Sequence, residues 1–227
     1  FTRTVGGKQD LFSILAEDVA TRVASEPEAR LAVQALLSRI RMWQAFLRRH
    51  VGARLSDAEE SGLVGELLFL ADVMAPSADV AALVDSWQGP LGGLHDFRLG
   101  HASIEVKACL RGETVHISSL DQLDGRHAEP LFLAVVQLGT GFGRTLPELV
   151  DVVRALVRQS APTHAQVLED RMLSAGYIDA HAGLYECRFE SRSVTIYRVA
   201  QGFPRLARDA VPPGIAECTY EIELSAA

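Results

Sequence analysis

The sequence has little that would staple a chain together, anchor it in a membrane or coat it with positive charge. Its 227 residues include only three cysteines, Cys109, Cys187 and Cys218. They are odd in number, scattered and without C-x-x-C spacing, so neither a disulfide framework nor a zinc knuckle is supported. A reducing, cytoplasmic compartment is the simplest setting for such thiols. No apolar run approaches the ~20 residues needed to cross a bilayer, which excludes a membrane-spanning helix. The N-terminal residues read as neither a secretory signal nor a transit peptide. Repeats and low-complexity tracts are missing too. Basic residues are outnumbered: 22 Lys and Arg against 29 Asp and Glu give a formal net charge of −7. A domain that held nucleic acid by bulk electrostatics would be basic. Any such contact here needs a local basic surface, a metal-neutralised site or a partner subunit.

What remains is the profile of a globular protein, with 48% hydrophobic and 22% charged residues. The length allows one well-buried core and a small helical appendage. The first third reads as helical. Leu11, Ile14, Leu15, Val19 and Val23 recur at helical spacing over residues 10–25, and Glu26-Pro27 ends that run. A second helix is expected from about Glu28 to His50, with Leu31, Leu36, Ile40, Trp43 and Leu47 on its apolar side. Ser56-Asp57-Ala58-Glu59 is a capping box that opens a third helix towards Val73, and Pro76-Ser77 marks a break.

Beyond residue 86 the period changes to that of strands. Asp96–Leu99, Ser103–Cys109 and Thr114–Ser118 predict a three-strand meander turned at Gly100 and Gly112. Ser119-Leu120-Asp121-Gln122 reads as the cap of a short helix. Leu131–Leu138 is a continuous apolar run, as in a strand buried on both faces. A glycine-rich turn follows, then a helix capped at Thr145 and reaching about Gln159, and another over residues 163–175. Tyr185–Val199 and Ala216–Leu224 alternate as strands. This order predicts one mixed α/β domain with an N-terminal helical extension.

Three places in this layout point to one site. In the second expected strand Glu105 and Lys107 share a face, because strand side chains alternate, while Ile104 and Val106 take the core face. Asp96 lies in the preceding strand, where a hairpin can set it beside Glu105. Two converging carboxylates repel unless a positive charge lies between them, and Mg²⁺ suits such oxygen ligands. Glu66 shares its helix face with Leu63, Phe69 and Leu70. A carboxylate in an apolar stripe is costly to bury unless it is paired or bound to a metal. Each residue also has a plainer explanation. An E-x-K tripeptide commonly forms a surface ion pair, Glu66 could pair with an arginine, and Asp96 could cap a turn.

The combination, in its order, resembles a family of the PD-(D/E)XK nuclease superfamily. The resemblance runs through Gly62-Leu63-Val64-Gly65-Glu66-Leu67, Trp87-Gln88-Gly89-Pro90, His95-Asp96-Phe97, Ile104-Glu105-Val106-Lys107 and Asp121-Gln122-Leu123. It extends to Phe203-Pro204-Arg205 and Tyr220, and so covers most of the chain. His95 stands where the superfamily usually has proline. The resemblance implies a restriction-endonuclease-like αβββαβ core with a mixed sheet over residues 56–227, preceded by the helical extension of residues 1–55. It implies Mg²⁺-dependent hydrolysis of DNA, with Mn²⁺ able to substitute, in a setting of restriction or phage-defence genes. Asp96, Glu105 and the Val106 carbonyl would hold the metal. Lys107 would orient or deprotonate the attacking water, and Glu66 would support a second metal or the first metal's water shell. Gln122 would lie near the substrate phosphate, although a capping role is an equal alternative. Helicase or methyltransferase subunits are implied partners, and a homodimer would allow both strands to be cut. The competing reading is a DNA-binding or assembly subunit that keeps the fold without the activity. A third is an interaction domain whose charges form only a structural cluster.

Other signals are weaker. Gly139-Thr140-Gly141-Phe142-Gly143 lacks both the GxGxxG spacing and the Lys-Ser/Thr pair of phosphate-binding loops. It is expected to be a flexible turn beneath the site, with Arg144 near a phosphate backbone. Arg39, Arg41, Arg48 and Arg49, extended by Arg54, form the densest basic stretch and suit a DNA surface. Alternatively, Trp43 is core and these arginines are a solvated face or partners of nearby acids. Arg205 and Arg208 are lesser candidates of the same kind. His116, between Val115 and Ile117, either faces the site or is a structural histidine.

Overall fold

The computed structural model describes residues 11–49, 54–126 and 130–226. Two helices come first, α1 (Leu11–Ala24) and α2 (Ala29–Arg49). The expected inclusion of His50 in α2 lies outside the described residues. Helix α3 (Asp57–Leu68) starts at the Ser56 capping box, in which Ser56 and Glu59 satisfy each other's backbone N–H groups. The chain continues into a π-helical stretch over Phe69–Met74, so the expected third helix loses its α-helical register there. A seven-residue helix, α4 (Val80–Ser86), is capped by Asp79 and was not evident from the sequence.

Strands β1 (Phe97–Leu99), β2 (Ala102–Cys109), β4 (Leu131–Arg144) and β5 (Phe189–Arg198) form one mixed sheet in the order β1-β2-β4-β5. β1 is antiparallel to β2, β2 parallel to β4, and β4 antiparallel to β5. The three-strand meander is corrected here. β3 (Thr114–Ile117) leaves the sheet and pairs antiparallel with β6 (Tyr220–Glu223). Its Val115 and Ile117 bury against the far face of the main sheet, which a third strand in the same plane could not do.

Helices α5 (Leu146–Ser160) and α6 (Ala165–Ser174) pack with α3 on one face of the main sheet. The core there joins Leu63, Val64 and Leu67 of α3 to Val106, Ala134 and Val136 of the sheet and to Leu149, Val150 and Val153 of α5. The opposite face buries Leu131, Leu133 and Val135 beneath the β3–β6 ribbon. Full burial of each such side chain contributes about 1.5–3 kcal/mol. β4 is therefore apolar on both faces, as expected from its unbroken run. Helices α1 and α2 form an outer layer whose Trp43 and Phe46 pack with Leu173 and Ile178.

The glycine-rich segment is also corrected. It is not a free turn, because β4 runs on through Arg144 and stays paired with β5 across two irregularities in register. At Gly143, with φ of +87°, an added Cβ would fall 2.0 Å from the Phe189 carbonyl oxygen. Gly143 thus serves the close approach of β4 to β5. Among the described residues no helix is long and apolar enough to cross a membrane.

Candidate active site

Helix α3 meets the sheet through Gly65, whose missing side chain lets the helix backbone close on β2. A Cβ there would stand 2.8 Å from that of Ala108. This contact carries the next residue, Glu66, to the edge of β1 and β2. The β1–β2 register of Phe97 opposite Ile104, continued by one step, sets Asp96 opposite Glu105. Alternation along β2 sends Ile104, Val106 and Ala108 into the helix-side core. Glu105 is left on the other face, 2% exposed.

Each carboxylate is held from a different direction. Asp96 accepts the Val106 N–H at 2.7 Å, and its carbonyl accepts the N–H groups of Gln88 and Gly89. Glu66 accepts the Trp87 indole N–H at 2.6 Å, and Trp87 itself is bridged to Phe97 beside Asp96. The arginine partner considered for Glu66 is thus replaced by an indole. Glu105 Oε1 lies 2.9 Å from the Lys107 ammonium and accepts the Gln122 side-chain amide at 2.7 Å.

Gln122 sits in a single 3₁₀ turn, Leu120–Leu123, and not in the capped helix expected there; Ser119 makes no cap hydrogen bond. Gln122 Oε1 instead accepts the Ser118 N–H at 2.8 Å and approaches Lys107 Nζ at 3.4 Å. Its carbonyl lies 3.0 Å from His95 Nε2. One glutamine therefore ties both halves of the Glu105-Val106-Lys107 tripeptide to the residue before Asp96.

The electrostatics are unbalanced. Burial, aggravated by the Asp96 charge and eased by the Trp87 hydrogen bond, raises the Glu66 carboxyl well above the ordinary range. Burial pushes Asp96 up to about 6 against the opposing pull of the Val106 N–H and Lys107. Burial and then Asp96 repulsion push Glu105 up to about 8, although Lys107 opposes the shift. One lysine does not neutralise the buried Glu105 together with the half-buried Asp96 and Glu66.

The gap between two of them is kept by a glycine. A Cβ on Gly89 would lie 2.7 Å from Asp96 Oδ1 and 2.9 Å from Glu66 Oε2. Among the described residues no group of three or more His, Cys, Asp or Glu stands ready to hold a metal. Mg²⁺ asks for less: one or two carboxylates, with water and substrate oxygens completing its shell. Hard oxygen donors facing a space that a single methyl group would fill suit such a cation. Trp87 and Gly89 were not singled out as site residues from the sequence, although both lie in the quoted Trp87-Gln88-Gly89-Pro90 stretch.

The basic candidates scatter. Arg41, Arg48 and Arg49 are exposed on α2, and Arg49 lines a cleft together with Glu66. Arg144 lies beyond Val135, the β4 partner of Lys107, near the end of the strand and 3.9 Å from Asp72. Arg39 is buried and clamped by Asp18 and Asp170, and Trp43 is core. Arg54 pairs with Asp57 and Glu60. Arg205 bonds the Leu123 carbonyl and Arg208 those of Ile215 and Ala216, so both tie loops together. His116 is exposed between the buried Val115 and Ile117, on a strand that pairs with β6 and not with the main sheet, so it is not a buried structural histidine.

A family model described as "Putative PD-(D/E)XK family member, (DUF4420)" matches residues 1–225. No curated protein and no solved structure matches the chain. By the length of the match and the arrangement of Glu66, Asp96, Glu105 and Lys107, the chain belongs to this PD-(D/E)XK family.

Proposed function

We propose that the chain is a divalent-metal-dependent nuclease acting on DNA phosphodiester bonds. The observation that carries this reading is the grouping of the buried Glu105, paired with Lys107, and the half-buried Asp96 and Glu66, with the space between Asp96 and Glu66 kept open by Gly89. Family membership supports the same reaction class.

Asp96 and Glu66 would hold Mg²⁺, with Mn²⁺ as a substitute, and Glu105 and the Val106 carbonyl complete the donors on the β2 side. Bound there, the cation supplies Lewis-acid polarisation of a phosphoryl oxygen. Glu105 and Gln122 fix the Lys107 ammonium between two oxygens, which aims its remaining N–H groups. Held so, Lys107 orients the attacking water and offsets charge that develops on the phosphate in the transition state. Trp87 fixes the Glu66 carboxylate by donating its indole N–H to Oε2, the oxygen that also borders the Gly89 gap. Arg41, Arg48 and Arg49 on α2 supply local positive charge for the DNA backbone in a chain that is acidic overall; Arg144 would extend it along β4. We place the activity in the cytoplasm, within a restriction-like or phage-defence system, where helicase or methyltransferase subunits or a second copy of the chain would present the duplex.

The test is cleavage of supercoiled plasmid in Mg²⁺ or Mn²⁺ by the wild type, Asp96→Ala and Lys107→Ala. Nicking or linearisation by the wild type alone supports the reading. Equal cleavage by all three contradicts the site. A wild type that neither cleaves nor binds Mn²⁺ would instead make the chain a nuclease-fold binding subunit.

A further inference from the structure

Helix α3 contains two glycines in its middle, although glycine is the poorest ordinary residue for a helix interior. Gly65 has a structural reason, its close approach to Ala108. Gly62 has none of that kind among the described residues, where a Cβ added to it would meet nothing within 4 Å. It lies one helical turn before Glu66, on the same face. That face borders a cleft of about 260 Å³ lined by Gly62, Leu63, Glu66, Gly89, Pro90 and Arg49, with Ser174 at the end of α6 also on its wall. Gly89 and Glu66 line this cleft and also flank the carboxylate gap, so the cleft adjoins the candidate site. The other acid on the rim, Glu59, is turned into the Ser56 cap, which leaves Arg49 as the charge available to an anion.

We propose that this cleft is a substrate subsite: it seats the sugar-phosphate backbone of the strand next to the scissile phosphate, with Gly62 as its bare floor and Arg49 as its phosphate contact. The volume lies below the roughly 300–1,000 Å³ of pockets that enclose whole small-molecule ligands. It suits a strand passing through. A helix surface without a side chain lets a polymer backbone approach closely, as glycines do wherever backbone and ligand must meet. The inference rests on the nuclease reading and adds to it which side of the carboxylates the strand occupies.

The experiment uses the full chain and fluorescein-labelled single-stranded and duplex oligonucleotides, with Ca²⁺ in place of Mg²⁺, and reads Kd alongside Tm and Mn²⁺ binding. Across Gly62→Ala and Gly62→Leu, oligonucleotide affinity should fall stepwise, by at least tenfold for leucine. Tm should hold or rise, because both residues favour a helix more than glycine does, and Mn²⁺ binding should be kept. A merely structural glycine would show the reverse, with stability lost and affinity spared. Arg49→Gln should weaken both oligonucleotides uniformly and lower the salt slope by about one. Unchanged affinity in Gly62→Leu overturns the subsite and leaves the nuclease reading standing. A wild type that binds Mn²⁺ but neither oligonucleotide also overturns the subsite alone. A wild type that binds neither overturns both.

Discussion

Two of the charge clusters among the described residues, one on the helical side and one at the sheet edge, are compensated differently. On the helical side Arg39 is clamped by Asp18 from α1 and Asp170 from α6, and Trp43 donates its indole N–H to the same Asp18. Nearby, Arg154 is held by Glu169 and Asp179. Burial alone would raise the Asp18 carboxyl, but the hydrogen bonds from Arg39 and Trp43 outweigh it and hold Asp18 below its ordinary value. At the sheet edge the same kind of indole bond, from Trp87 to Glu66, does not suffice, and Glu66, Asp96 and Glu105 all shift upward. The first cluster supplies cations within bonding reach of its acids and serves as structure. The second leaves acids in excess, which is unfavourable for folding unless protons or a cation from solution make up the difference. That excess separates a candidate metal site from a structural ion pair more sharply than the presence of acidic residues does.

The comparison can be broken most severely at Lys107 and Asp96. Lys107→Ala or Asp96→Ala should lower metal-dependent plasmid cleavage by about 10³-fold, on the scale of losing one preorganised charge at a developing anion. For Asp96→Ala Tm should change little, because that site has surplus carboxylates, whereas Lys107→Ala removes the cation paired with Glu105 and should lower Tm. Arg39→Ala should do the opposite of Asp96→Ala. Removing the cation leaves Asp18 poorly compensated and costs about 3 kcal/mol, read from a denaturant melt. Mn²⁺ binding measured well below Tm should be unaffected.

The pH dependence should also run in opposite directions. Asp96 and Glu105 lie at about 6 and about 8 in the folded chain against ordinary values of 3.8 and 4.5. Between about pH 4 and 8 the folded state therefore holds more protons than the unfolded one, and stability falls as the pH rises through that window. Asp18 is lowered from 3.8, so the Arg39 clamp contributes fully above that pH and is lost as the pH falls below it. Thermal melts of the metal-free protein should give a clearly higher Tm at pH 5 than at pH 8. Saturating Mn²⁺ should flatten the slope. Asp96→Asn should flatten part of it without metal. The smallest effect is expected at Gln122, which positions Glu105 and Lys107 without adding charge. Gln122→Ala should cost about tenfold in kcat, with partial recovery in Gln122→Asn if the amide itself is what matters.

Much of the site was legible because its logic is local. The alternation of Glu105 and Lys107 against Ile104 and Val106 needs only the period of a strand, and Glu66 among Leu63, Phe69 and Leu70 needs only the period of a helix. The partners were not legible where they are distant in sequence and chemically unexpected. Trp87 reaches Glu66 across a break and a separate helix, and nothing at position 87 distinguishes an indole that caps a carboxylate from one that merely fills the core. Helix α4 is too short to show a period. β3 was misplaced because its neighbours in sequence suggest a meander, whereas its pairing partner β6 lies at the far end of the chain. Gly139–Gly143 looked like a turn because glycine marks turns and close crossings alike, and only the approach of Phe189 tells them apart. The basic stretch of α2 divided in a way that composition cannot foresee, with Arg39 buried and Arg49 beside the cleft.

The most direct test of the excess-carboxylate account is calorimetric titration of the metal-free protein with Mn²⁺ near pH 7, repeated in buffers of different ionisation enthalpy and with Asp96→Asn. The account predicts saturable binding that releases protons, because a cation displaces the proton that Glu105, pushed up to about 8, retains at that pH, and it predicts loss of that binding in the variant. Absence of binding, or binding that Asp96→Asn leaves intact and that releases no proton, would contradict it.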